Sequence, residues 1–252
     1  MMIRAVLFDL YSTLLDVKTD DDDPEVYRAV ARFLRYRGVV VHGAELREAY
    51  AGAMRRQRAG RAELFPEIDV EAIWLEILQA RGASEELARE PLGALARALS
   101  ELHRALSRRR LRLYPDVLPT LEALGARFAL GMVSDAQPCF ALAELREFGL
   151  DRYFPAPIVS APRPFRKPDP RLFREALDAL RVAPHEAIFV GNDMFRDIHG
   201  SSALGMRTIF FASGAGEQSF PGASPDYVAS SFRAVLDGVA YIERAPLGRI
   251  QK

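Results

Sequence analysis

Four stretches of the chain share one pattern: a short, mostly apolar run rich in strand-forming residues, ending abruptly in small or acidic polar residues. Residues 3–8 run into Asp9, and residues 128–133 run into Ser134 and Asp135. Residues 187–190 run into Gly191, Asn192 and Asp193, and residues 207–211 into Ala212, Ser213 and Gly214. Runs this short and this apolar fit strands buried on both faces, as in a parallel sheet. Residues 227–229 suggest a further short edge strand. Helix-like periodicity fills the gaps, over residues 118–124, 139–148, 170–180 and 195–204. Strand–helix alternation predicts an α/β fold, a Rossmann-like parallel sheet with right-handed crossovers. The polar residues that follow the strands then collect on one edge, where open α/β sheets bind ligands.

The stretch from about 24 to 104 departs from this alternation. It reads as helices at 26–34, 44–58, 70–80 and 85–106, with no convincing strand. Asp20 to Asp23 followed by Pro24 makes a good helix start, with acids near the N-terminus and proline in the first turn. The run lacks the ordered spacing of a calcium loop. The expected organisation is a core of residues 1–16 and 108–252 and an inserted all-helical cap of residues 17–107. The hinges fall near residues 15–19 and 108–114.

Composition narrows the function classes. The chain has 252 residues, 49% hydrophobic and 27% charged, with zero formal net charge. That suits a globular protein acting on a small-molecule substrate, and it lacks the basic excess of a nucleic-acid partner. No stretch approaches the roughly 18 apolar residues of a membrane span, so no membrane partner is expected. No targeting signal is apparent, and a single cysteine, Cys139, rules out a disulfide framework within one chain, so a cytoplasmic location is expected. Nothing in the sequence sets an oligomeric state. Only Lys18, Lys167 and Lys252 among the 34 basic residues are lysines, so each lysine merits inspection.

Four clusters carry candidate chemistry. Asp9, at the end of a strand and followed by Leu10-Tyr11-Ser12-Thr13, is placed to attack an electrophilic phosphorus or carbon, or simply to cap the next turn. Ser134 offers a hydroxyl and a backbone N–H to an oxyanion, though serines after strands are common. Lys167 in Arg166-Lys167-Pro168-Asp169-Pro170 offers a compact positive charge. Gly191-Asn192-Asp193-Met194-Phe195-Arg196-Asp197 supplies the hard oxygens that suit Mg²⁺, or ordinary helix capping. By contrast, His42, His103, His185 and His199 show no ligand spacing, and Trp74 and Cys139 read as packing residues.

Taken together and in this order, the four clusters resemble those of the haloacid dehalogenase-like hydrolases with a helical cap, the subfamily called C1. The segments at residues 113–117 and 225–228 resemble that family's return to its core and its last strand. The resemblance implies that Asp9 forms a covalent intermediate, with Tyr11 and Thr13 in the catalytic loop. It implies that Ser134 and Lys167 hold the transferring group, with Ser12 and Asp135 contacting substrate. It implies Mg²⁺ as cofactor, held by Asp193 with Asn192 or Asp197, beside Asp9 and the backbone carbonyl of Tyr11.

Two departures pull in opposite directions. Phosphatases of the family normally carry an aspartate two residues after the nucleophile, where this chain has Tyr11. The family's 2-haloacid dehalogenases usually have tyrosine there, and need no acid and no metal. The acids of the Gly191–Asp197 segment point back to a cation, because like charges about 4 Å apart repel by ~4 kcal/mol at an effective dielectric of 20. The expected function is a Mg²⁺-dependent phosphatase of a small phosphorylated metabolite. The alternatives are a metal-independent 2-haloacid dehalogenase, whose arginine region finds no convincing match in the cap although Arg55, Arg56 and Arg58 keep the question open, and a weakly active binding or regulatory protein. A phenol is a poor acid at neutral pH, so Tyr11 predicts a preference for acyl or aryl phosphates.

Overall fold

The computed structural model describes residues 2–244. Met1 and residues 245–252, including Lys252 and the end of the expected core, lie outside the described residues. Six parallel strands form one sheet in the order β5-β4-β1-β6-β7-β8. They are β1 (Ala5–Phe8), β4 (Ala129–Ser134), β5 (Ile158–Val159), β6 (Ala187–Gly191), β7 (Arg207–Phe211) and β8 (Tyr227–Ala229). Strand β1 is central and pairs with β4 and β6, Phe8 lying level with Met132 and Val190. Its side chains alternate between two cores. Val6 and Phe8 join Ile188 and Val190 on one face, and Ala5 and Leu7 join Ala187 and Phe189 on the other. Burial on both faces explains why these strands read as continuous apolar runs.

The flanking helices are α6 (Val117–Gly125), α7 (Pro138–Glu147), α8 (Pro170–Leu180) and α10 (Ala234–Arg244). Where one helix was expected at 195–204, a π-helical turn at Met194–His199 leads into a single short turn, α9 (Gly200–Ser202). Such turns insert an extra residue into a helix and recur at functional sites.

Between strands β2 (Leu15–Thr19) and β3 (Arg108–Leu113) lie α1 (Pro24–Arg35), α2 (Gly43–Ala59), α3 (Val70–Ala80), α4 (Glu85–Ala88) and α5 (Leu92–Ser107). Asp23 caps α1 by accepting from the Glu25 N–H at 2.8 Å, and Pro24 opens the helix. The five helices bury a separate core, in which Trp74 is fully buried against Tyr50 and His103. Two details differ from the sequence reading. The hinge segments pair as an antiparallel ribbon, Leu15 opposite Leu113. The expected helix at 85–106 is two helices, because Arg89 takes a left-handed φ of 58° and Pro91 bars Glu90 from the helical region. Among the described residues no helix is long and apolar enough to cross a membrane.

Candidate active site

The carboxyl ends of β1, β4 and β6 set out the polar residues. Asp9 follows β1, its N–H donating to Val190 O at 3.0 Å. A tight turn follows, in which the Leu14 and Leu15 N–H groups both reach the Leu10 carbonyl and Ser12 takes a left-handed φ of 64°. This turn brings Thr13 back under the carboxylate: Thr13 Oγ1 lies 3.1 Å from Asp9 Oδ2 and 3.0 Å from Asn192 Oδ1. One hydroxyl proton cannot serve both acceptors at once.

Lys167 Nζ donates to Asp9 Oδ1 at 2.7 Å, to Asp197 Oδ1 at 2.6 Å and to Val133 O at 3.3 Å. Lys167 is 3% exposed, whereas Lys18 lies on the surface. Burial disfavours the ammonium, but Asp197, Asp9 and Asp135 outweigh it and hold the lysine charged. Asp197 in turn accepts the N–H groups of Asn192 and Asp193 on Oδ2, at 3.0 and 3.1 Å. Gly191 is required here, because a Cβ at that position would collide with the Asp197 carboxylate. Burial raises the Asp197 carboxyl, opposed by Lys167.

Asp193 does not join this group. Its Oδ1 caps the π-helical turn, accepting from the Phe195 and Arg196 N–H groups at 3.1 and 2.7 Å. Its Oδ2 accepts from the Arg196 guanidinium at 2.8 and 2.9 Å and from the Glu217 N–H at 3.0 Å. Arg196 and these N–H groups hold the Asp193 carboxyl below its ordinary range against the effect of burial. Both Asp193 oxygens therefore accept hydrogen bonds from the protein. Asn192 lies nearer Asp9, its amide nitrogen anchored to Ala215 O at 3.0 Å.

Ser134 and Asp135 follow β4. Ser134 Oγ and Asp135 Oδ2 are both buried without a hydrogen-bond partner. Asp135 Oδ1 accepts the Lys167 N–H at 2.9 Å, and Arg196 Nη1 lies 3.8 Å from Oδ2. A cavity of about 340 Å³ runs from Tyr11 and Asp135 to Trp74 and His103.

Tyr11 forms part of the cavity wall through an unforeseen network. Its hydroxyl donates to Glu144, which also accepts from Arg104 at 2.9 and 3.0 Å and from Arg108 at 3.3 Å. Arg104 lies over the Tyr11 ring at 5.0 Å. Burial, then Glu144, push the phenol pKa well above its ordinary value. Nothing near Glu144 in the sequence marks it, since its partners are 36 to 133 residues away. Glu67 also enters from the helical region, bonded to Ser160 Oγ. Burial raises its carboxyl pKa. Of the arginines noted in α2, Arg58 lines the cavity and Arg56 pairs with Glu76. His199 packs against Phe195 and Phe220 instead of entering the site.

The suitability of this edge for Mg²⁺ is a matter of charge and donor type. Four carboxyl groups, Asp9, Asp135, Asp193 and Asp197, face two cations, Lys167 and Arg196. Among the described residues no three His, Cys, Asp or Glu side chains form a ready-made metal cage. Mg²⁺ does not require one, since it keeps several waters and binds through one or two carboxylates plus substrate phosphate. The Asp9 carboxylate and Asn192 Oδ1, both within reach of the Thr13 hydroxyl, are hard oxygen donors of the right kind, and the residues fit the ion.

Comparisons with known proteins agree with this architecture. The chain is 34% identical to a phosphoserine phosphatase of Thermus thermophilus over 66% of its own length and 63% of that protein's, so the match spans under two thirds of this relative. It is 26% identical to (S)-2-haloacid dehalogenase 4A of Burkholderia cepacia over 82% of each chain. The structure of a 2-haloacid dehalogenase from Pseudomonas syringae pv. Tomato DC3000 superposes with a TM-score of 0.69 at 25% identity, covering 95% of this chain and 99% of that one. A family model for haloacid dehalogenase-like hydrolases matches residues 3–205, and the chain belongs to that family of hydrolases.

Proposed function

We propose that this chain is a Mg²⁺-dependent phosphatase of small phosphorylated compounds, working through an aspartyl phosphate on Asp9. The observation that carries the reading is the Asp9 carboxylate at the strand end, with Oδ1 on Lys167 at 2.7 Å and Oδ2 beside Thr13. Asp9 Oδ2 is the attacking oxygen. Lys167 keeps the nucleophile ionised and offsets charge on the transferring phosphoryl group, which Ser134 Oγ meets with a hydroxyl that has no protein partner. Asp9, Asn192 and the Tyr11 carbonyl would hold Mg²⁺, with Asp197 behind Lys167. When bound, the ion supplies positive charge that draws phosphoryl oxygens towards Asp9. Ser12 and Asp135 border the substrate. Residues 17–107 act as a cap over the core of 1–16 and 108–252, excluding water and selecting substrate. The free, buried Cys139 fits a reducing, cytoplasmic setting.

Tyr11, committed to Glu144, gives no proton to a leaving group. That observation favours one second reading, dehalogenation of a 2-haloacid, because halide leaves unprotonated. Purified protein assayed on alkyl, aryl and acyl phosphates and on 2-chloropropionate, each with Mg²⁺ and with chelator, separates the two. Chelator-sensitive phosphate release supports the phosphatase. Chelator-insensitive chloride release overturns it in favour of the dehalogenase.

A further inference from the structure

The proposed reaction leaves one proton unassigned. An alkoxide leaving group must be protonated as its bond to phosphorus breaks. The Tyr11 hydroxyl already donates to Glu144, and removing that proton would place a phenolate against a buried carboxylate.

Asp135 lines the same cavity as Tyr11. Its Oδ2 is buried without a hydrogen bond, with Arg196 Nη1 at 3.8 Å, and Ser134 Oγ is likewise buried without a hydrogen bond. A buried carboxylate oxygen without a hydrogen bond on a cavity wall points to a ligand that completes it, since such atoms are costly to bury unsatisfied. The Ser134 hydroxyl can donate to a phosphoryl oxygen. An Asp135 carboxylate can only accept, and beside a phosphate it would repel by ~4 kcal/mol at about 4 Å and an effective dielectric of 20. With a proton on Oδ2 the same residue becomes a donor. Burial, the leading effect, raises the Asp135 carboxyl against the Lys167 ammonium, the Lys167 N–H and Arg196, and the negative charges of Asp9 and Glu67 act in the same direction as burial.

We propose that Asp135 is the acid–base residue of this site, standing in for the aspartate that Tyr11 replaces. The proposal rests on the phosphatase reading. In the first step Asp9 Oδ2 bonds to phosphorus, the P–O bond to the leaving group breaks, and the Asp135 proton passes to the departing oxygen. Asp135 is then a carboxylate, held by the Lys167 N–H at 2.9 Å and faced by Arg196 at 3.8 Å. In the second step water attacks phosphorus, the bond to Asp9 breaks, and the water's proton returns to Asp135.

The test compares wild-type enzyme and Asp135→Asn, both with Mg²⁺, on an alkyl phosphate and on acetyl phosphate, whose leaving group needs no proton. The readout is the ratio of the two kcat/KM values, which does not depend on how much of the variant is folded. Asp135→Asn is expected to lose about 10²- to 10⁴-fold on the alkyl phosphate. On acetyl phosphate its kcat/KM changes by less than about tenfold, and the phosphorylated enzyme accumulates because the second step lacks its base. Asp135→Glu, which keeps a carboxyl group, recovers part of the alkyl rate. An equal loss on both substrates, or none on the alkyl phosphate, overturns the role. A wild-type enzyme that hydrolyses neither substrate overturns the phosphatase reading itself, and the role with it.

Discussion

The sheet edge and the helical wall opposite it line one cavity but are built differently. At the sheet edge most functional groups sit within a few residues of a strand's end, so the backbone sets their position; Lys167, well beyond β5, reaches Asp9 and Asp197 through its side chain. Asp9, Ser134 and Gly191 terminate three hydrogen-bonded neighbours, and a β-strand needs only a short apolar run to be recognisable. The opposite wall is held by side chains distant in sequence: Tyr11 and Arg104 on Glu144, and Glu67 on Ser160. The sheet edge thus fixes the chemistry through main-chain geometry, whereas the wall fixes shape and exclusion of water through buried polar contacts.

That contrast predicts where substitution will be felt. Asp9→Asn removes the nucleophile without changing shape, and should lower turnover by on the order of 10⁴-fold or more while leaving the melting temperature near wild type. Lys167→Met, read by turnover and by denaturant unfolding, leaves Asp9 and Asp197 facing each other without their shared cation. It should cost about 3 kcal/mol of stability and at least ~10²-fold in rate. If Lys167→Met were as stable as wild type, the paired carboxylates would not be the buried ion cluster described.

On the helical wall, Glu144→Gln leaves Arg104 and Arg108 without their carboxylate. Glu144 is buried and Arg104 largely so, and unfolding should register a loss of about 3 kcal/mol. Activity should fall mainly through KM, as the wall shifts relative to Asp9; a fall in kcat alone would place Glu144 in the chemistry instead.

The smallest expected effect is the pH dependence at Glu67. Its folded pKa lies above the unfolded value, so its stabilising contribution is complete below the ordinary carboxylate pKa and is lost as pH rises through the raised one. Thermal melts from acid to neutral pH should show wild type losing stability relative to Glu67→Gln across that window. Parallel curves would mean that Glu67 titrates normally.

The same contrast accounts for what was legible in the sequence. The strands β1, β4, β6 and β7, the polar residues that follow them and the helices between β2 and β3 were readable because each depends on local periodicity. The contacts of Asp193 were not legible, because spacing cannot show that its carboxylate accepts from Arg196 and from the Glu217 N–H. Glu144 was invisible because α7 presents it as one polar residue among several, and its meaning comes from Tyr11, 133 positions away. The ribbon of β2 and β3 was read as two hinges because its polar, arginine-rich strand lacks an apolar run.

The central claim is that the Asp9 carboxylate becomes covalently phosphorylated. Turnover of acetyl phosphate in ¹⁸O-water, followed by acid quench and mass analysis of the peptide carrying Asp9, tests it directly. The account predicts a phosphoryl group on that peptide at quench and heavy oxygen only in the released phosphate. An unmodified Asp9 peptide during steady phosphate release would contradict it.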